Sequence, residues 1–178
     1  MKLFIHSRRW LLVMLASSVL GSTLVFAAES ASEQAARAAL LFNFIKFTEW
    51  PAAADLPQPH PLYICTATRD LVQIDALEEL STRQVRGKPL TTIRYSKQAN
   101  CNVLYVDSRQ RWLSIAEEKT KPHTLTIGSY AGFAADGGMI EIVLQEGGAR
   151  FDINLAAAKR AELRFYPQLL KLARRIVE

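Results

Sequence analysis

The chain has 178 residues, with 22 Lys or Arg against 17 Asp or Glu and a net charge of +5. Three of the cations, Lys2, Arg8 and Arg9, lie in the first 27 residues, which hold no acid, so the remaining 151 residues carry 19 cations and 17 acids. That balance excludes the strongly basic profile of a nucleic-acid binder, and the length suits one domain with one core.

Residues 1–27 read as an export signal. Lys2, His6, Arg8 and Arg9 form a positive start, an apolar run extends from Trp10 to Phe26, and Val25-Phe26-Ala27 is a small-residue cleavage site. Cleavage is expected between Ala27 and Ala28, and 28–178 is expected to fold as a single domain in the periplasm. A retained membrane anchor is the competing reading; Ser17, Ser18, Gly21, Ser22 and Thr23 dilute the apolar run and weigh against it. Ser7-Arg8-Arg9 also resembles a twin-arginine signal, while the strongly apolar stretch points to the general secretory route.

Next, Ser30-x-x-Glu33 is a capping box. Ala36, Leu40, Phe44 and Phe47 recur behind it at helical spacing, with Leu41 and Ile45 beside them, so a helix is predicted over 32–48, stopped by Trp50-Pro51. Pro51 to Pro61 is a loop. Leu62–Cys65 reads as a buried strand, Asp70–Leu80 as a helix, Leu90–Tyr95 as a strand, and Val103–Val106 as a central strand buried on both faces. A helix follows over Gln110–Lys119, then a short strand around Leu125 and Ile127. Met139–Gln145 and Ala149–Ile153 flank Gly147-Gly148, a strong hairpin signal. Asn154 is placed to cap a helix over Leu155–Leu163. Pro167 suits the first turn of a last helix reaching Val177, with Leu169, Leu170, Ala173, Ile176 and Val177 on one face and Lys171, Arg174 and Arg175 on a solvated one. The expected fold is α/β: a mixed sheet with a hairpin in its C-terminal half, flanked by helices.

Cys65 and Cys101 are the two cysteines, and in an exported chain they are expected to pair, tying together the end of one strand and the start of another. A two-cysteine metal site is the alternative. It needs more ligands, and His60 and His123 are not at ligand spacing.

Gly132-x-x-x-x-Gly137 begins as a phosphate loop does, but Gly138 and Met139 stand where that chemistry needs Lys and Ser or Thr, and a strand follows instead of a helix. The glycines there are read as turns. His60 and His123 look like loop residues, and Glu78-Glu79 and Glu117-Glu118 lie on the wet faces of helices. No catalytic residue, metal or cofactor is expected. A paired-carboxylate hydrolase has no sequence feature in its favour. A small-ligand binding module is a more substantial alternative, motivated by Trp112, Tyr105 and Tyr95.

Several stretches together resemble the YfiR family of periplasmic regulators. Leu41 to Pro51 (LFNFIKFTEWP) is similar to its first-helix signature, and Cys101-Asn102-Val103-Leu104-Tyr105 to its Cys-His-Val-Leu-Phe strand. Leu125 to Gly128, Gly132-Phe133, Gly137 to Ile140, Phe151 to Asn154 and Gln168 to Ala173 match in order. Two positions depart: Asn102 stands where His is common, and Tyr166-Pro167 replaces a Ser-rich start to the last helix. The resemblance implies a self-associating α/β domain that binds the periplasmic sensor part of an inner-membrane diguanylate cyclase, or of a sensor kinase, and represses it. Cyclic di-GMP and biofilm formation would then be under its control, an OmpA-type outer-membrane lipoprotein would sequester it, and the disulfide would hold its competent fold. Two regions are candidates for the partner surface: Asn43, Lys46 and Trp50 around the first helix, and Arg164, Arg174 and Arg175 near the C-terminus.

Overall fold

A computed structural model describes residues 32–51, 60–116, 121–145 and 148–178. The expected leader with its Ala27–Ala28 junction, Ser30 of the capping box, and Glu117 and Glu118 lie outside the described residues. Gln34–Glu178 pack as one compact unit.

Helix α1 occupies 32–46 and leads into the short strand β1 (Thr48–Glu49). Then come β2 (Leu62–Ala67), α2 (Leu71–Glu78) with a 3-10 turn at Glu79–Thr82, β3 (Gln84–Val85), β4 (Lys88–Arg94), β5 (Val103–Val106) and α3 (Arg109–Ala116). The chain continues through β6 (Leu125–Gly128), β7 (Ile140–Gln145), β8 (Gly148–Asn154), α4 (Leu155–Arg160), β9 (Arg164–Phe165), α5 (Pro167–Leu172) and β10 (Arg175–Val177).

The main sheet has eight strands in the order β10-β8-β7-β6-β5-β2-β4-β3. Its centre, β4-β2-β5-β6-β7, is parallel throughout. The chain therefore starts in the middle, winds to one side through α2, and returns through β5 to wind to the other. This is the doubly wound arrangement, whose order reverses between β2 and β5. The expected hairpin is present as the antiparallel pair β7–β8, registered from Ile140↔Ile153 to Gln145↔Gly148. Strand alternation divides the core into two layers. Leu62, Ile64, Val103 and Tyr105 face α1, α2, α4 and α5, while Cys65, Ala67, Leu104 and Val106 pack with Trp112, Ile115 and Phe133. β5 is buried on both faces, as its unbroken apolar run predicts.

Cys65 and Cys101 form a disulfide with Cα atoms 5.6 Å apart. It links β2 to the entry of its parallel neighbour β5. Asn102 reinforces the same junction: its Oδ1 accepts from the Tyr63 amide at 2.9 Å, and its own amide donates to the Tyr63 carbonyl at 3.0 Å.

Three expectations are corrected. Helix α1 ends at 46, not 48: Thr48 is fully buried, its Oγ1 donates to the Phe44 carbonyl at 2.7 Å, and Thr48–Glu49 pair antiparallel with Phe165–Arg164. Strand pairing wins there over continued helix, and the buried stripe centres on Ala38, Leu41, Phe44 and Ile45, leaving Leu40 and Phe47 half-buried. Helix α4 stops at Arg160 instead of Leu163, because Glu162 takes a left-handed φ of 60°. The last helix ends at Leu172. Ala173 is extended, and Arg175–Val177 add a parallel strand to the edge left by β8. The β-branched Ile176 and Val177 suit a strand, so Arg174 and Arg175 do not sit on a helix face.

Candidate partner-binding face

Ligands of doubly wound sheets bind beyond the carboxyl ends of the strands, where the order reverses. In this chain side chains hydrogen-bond to one another across that crevice. Thr68 Oγ1 donates to Asp107 Oδ2 at 2.6 Å and accepts from the Asp70 amide at 3.0 Å. Asp70 caps α2 through the Gln73 amide and accepts from Gln34 Nε2 of α1 at 2.7 Å. The buried Tyr105 hydroxyl donates to Gln73 Oε1 at 3.2 Å and shares a 2.8 Å hydrogen bond with Ser129 Oγ. Burial pushes the Tyr105 pKa up to about 12, against the opposing effect of Ser129, so it stays a neutral phenol. Arg111 pairs with Asp107. The network locks α1 across the strand ends.

The glycine-rich loop is likewise occupied from within. Its backbone amides at Gly132 and Ala134 both donate at 3.1 Å to the buried carboxylate of Glu141 on β7. The loop is an anion nest whose anion the chain supplies. Phe133 is wedged between Gly128 and Gly138, where a Cβ would sit 2.3 Å and 2.1 Å from its ring. Outside the loop, Arg109 binds Asp136 at 2.8 and 3.1 Å. This pair holds the Asp136 carboxyl below its usual range. The Tyr130 hydroxyl also donates to Asp136 at 3.1 Å, and its pKa is raised, first by burial and then by that bond.

Among the described residues no group of His, Cys, Asp and Glu could hold a metal ion. His123 Nε2 lies 2.9 Å from Glu162 Oε2, so this histidine fixes the turn after α4; His60 is exposed. Trp112 is buried, donating through Nε1 to the Asp136 carbonyl at 2.9 Å and stacking edge-on with Phe133. With Tyr105 it belongs to the core, which removes the main motivation for a small-ligand module.

The open surfaces lie around the β1–β9 ribbon. At one end, a groove of about 570 Å³ is lined by Glu49, Trp50, Pro51, Lys159, Glu162, Leu163 and Arg164. Trp50 is fixed there by an Nε1 hydrogen bond of 2.9 Å to the His123 carbonyl. At the other end, beyond the 3.0 Å bond from the Tyr166 amide to the Phe47 carbonyl, a groove of about 490 Å³ runs between α1 and the β3–β4 turn. Lys46 lines it. A third cavity, about 400 Å³, covers Cys101 at the amino ends of the strands and is lined by His60, Lys88, Asn102, Lys121 and His123 among others.

The structure thus brings Trp50 and Arg164 together, with Lys46 at the far end of the same ribbon and Asn43 exposed on α1, its Nδ2 bound to the Ala39 carbonyl at 3.1 Å. Arg174 and Arg175 serve elsewhere. Arg174 makes bonds of 2.8 and 2.7 Å, and Arg175 one of 2.8 Å, to the fully buried Asp152. They tether β10 to β8. Sequence reasoning missed Arg86 and Tyr166 of the second groove, although the Arg86-Gly87 pair, both at positive φ, carried a legible hairpin-turn signal.

These features define a doubly wound α/β domain with one disulfide, a strand-end crevice bridged by hydrogen bonds, and grooves at both ends of the β1–β9 ribbon. The chain belongs to the DUF4154 (YfiR/HmsC-like) family, whose model matches residues 34–174. At this coarse level the family is one of regulators, not catalysts, associated with the periplasm and cyclic di-GMP signalling. No curated protein matches. Among solved structures, the ABC domain in complex with L-Trp from Streptococcus pneumonia aligns with a TM-score of 0.48 at 10% identity, over 66% of this chain and 55% of that one. A conserved domain protein from Vibrio cholerae aligns with a TM-score of 0.45 at 12% identity, over 64% and 54%. The chain spans about half the length of these two structures.

Proposed function

We propose that this protein is exported, loses residues 1–27, and in the periplasm binds the sensor domain of an inner-membrane diguanylate cyclase, or of a sensor kinase, holding it inactive. Cyclic di-GMP and biofilm formation then fall under its control, and an OmpA-type lipoprotein competes for it. The observation that carries this reading is the family match across 34–174. The geometry is consistent with it: Gln34, Gln73 and Tyr105 hydrogen-bond across the crevice a doubly wound enzyme uses, and grooves lie open on the surface. The contact face comprises Asn43, Lys46, Trp50 and Arg164; Arg174 and Arg175 contribute by holding β10 in place.

The test is direct binding, by interferometry, of the oxidised mature chain to purified periplasmic domains of each cyclase and sensor kinase in the host. Saturable binding to one of them is expected. Absence of binding to all, with a folded chain, overturns the proposal.

A further inference from the structure

We infer that the groove between α1 and the β3–β4 turn is a docking site for an extended acidic segment carrying aliphatic side chains, contributed by a protein partner. That the partner is the sensor domain rests on the preceding proposal; the chemistry of the segment rests on the groove itself.

The walls are apolar: Phe42, Phe47, Val85 and Tyr166 line it. A cation lies over each of the three rings. Arg83 is 4.9 Å from the Phe42 centroid, Lys46 5.5 Å from Phe47, and Arg86 5.4 Å from Tyr166. These cations are exposed, and among the described residues no carboxylate lines the groove. The other two cavities differ. The Trp50 groove mixes Glu49 and Glu162 with Lys159 and Arg164, and the cavity over Cys101 is as polar as it is apolar.

Arg86 is held at the rim. Its backbone is left-handed, with φ at 52°, and its Nη2 donates to the carbonyls of Lys46 and Thr48 at 3.0 and 2.8 Å. A guanidinium has further donors on Nε and Nη1, so the anchored group can still fork onto a carboxylate. Among the described residues β3 is the terminal strand of the sheet on this side, and a terminal strand beside a groove suits an extended chain. The volume of about 490 Å³ lies within the range of specific binding sites. Acidic side chains would meet the three cations, and aliphatic ones would cover the half-buried Phe42 and Phe47.

The experiment is an amide-resolved NMR titration of the oxidised mature chain with two synthetic hexapeptides, one alternating Glu with Leu, the other Lys with Leu. Saturable shifts are expected at residues 46–48, 84–87 and 166–168 with the acidic probe only. Lys46→Glu or Arg83→Glu should weaken that probe by about tenfold while leaving the remaining spectrum in place. Arg86 is left unchanged because it holds the backbone. Equal response to both probes, or shifts confined to other residues, overturns the inference. Shifts that grow with protein concentration in the absence of probe assign the groove to a second copy and also overturn it. Sensor-domain binding by the same variants separates the two proposals: if it is undiminished although the acidic probe maps to the groove, the segment does not come from the sensor domain and that part of the inference fails.

Discussion

Replacing Asp152 by Asn should loosen the C-terminal strand from the sheet. Asp152 is fully buried and accepts three charge-assisted hydrogen bonds, two from Arg174 and one from Arg175. The amide oxygen of Asn can keep one of them, and its NH₂ faces guanidinium donors. Hydrogen bonds to charged groups contribute about 1.5–3 kcal/mol each, and water screens the half-exposed arginines, so the loss of two comes to about 2–4 kcal/mol. The Asp152 carboxyl is held below its usual 3.8, chiefly by the Arg174 hydrogen bond, with burial opposing. A carboxylate lowered in this way contributes stability that is full above its unfolded pKa and is lost as pH falls through its folded pKa. Urea unfolding should therefore show a constant gap between wild type and D152N from neutral pH to about pH 5, closing as the pH falls well below 4. Amides of Arg175–Val177 should exchange faster in the variant. A gap under about 0.5 kcal/mol at neutral pH, or one that persists undiminished in acid, would refute the reasoning.

Other perturbations probe the rest of the fold. Reducing Cys65–Cys101, which closes a separation of 36 residues, should cost about 4 kcal/mol in the chain-entropy account. Equal melting temperatures of oxidised wild type and a double Cys→Ala variant would contradict this. Gly138→Ala and Gly137→Ala should each destabilise by about 1–3 kcal/mol for different reasons, the first by collision with Phe133, the second by a φ of 93° in open space. Adding Phe133→Leu should relieve only the first, a difference that a double-mutant cycle reads. Arg164→Glu, in register with Glu49 in β1, should weaken partner binding by about tenfold with an unchanged circular dichroism spectrum; retained affinity would remove this end of the ribbon from the face.

Much of this architecture was legible because its signals were local. The unbroken apolar run Val103–Val106, the alternation flanking Gly147-Gly148, and Asn154, whose Oδ1 accepts from the Ala157 amide at 2.9 Å, each reported their own surroundings. The parts that were not legible depend on distant partners. Nothing near Thr48 announces its pairing with Phe165, and Ala173 to Val177 reads as helix until Asp152 on β8 draws Arg174 and Arg175 into an ion pair. The glycine-rich loop was recognised as scaffold from its missing Lys. That its amides close on Glu141 could not be seen, because a Glu alternating with Ile140 and Ile142 looks solvent-facing. At the candidate face, Lys46 and Trp50 lie in the stretch that carries the family resemblance. Arg86 and Tyr166 join Lys46 only when the β3–β4 turn and the start of α5 fold against α1.

The central claim is repression of a cyclase from the periplasmic side. Its most direct test is intracellular cyclic di-GMP, compared in the host, in a strain lacking this chain, and in that strain supplied with the wild-type chain or a form without residues 1–27. The account predicts a rise on deletion, restored by the exported chain and not by the form confined to the cytoplasm. An unchanged level on deletion, with the cyclase expressed, would contradict it.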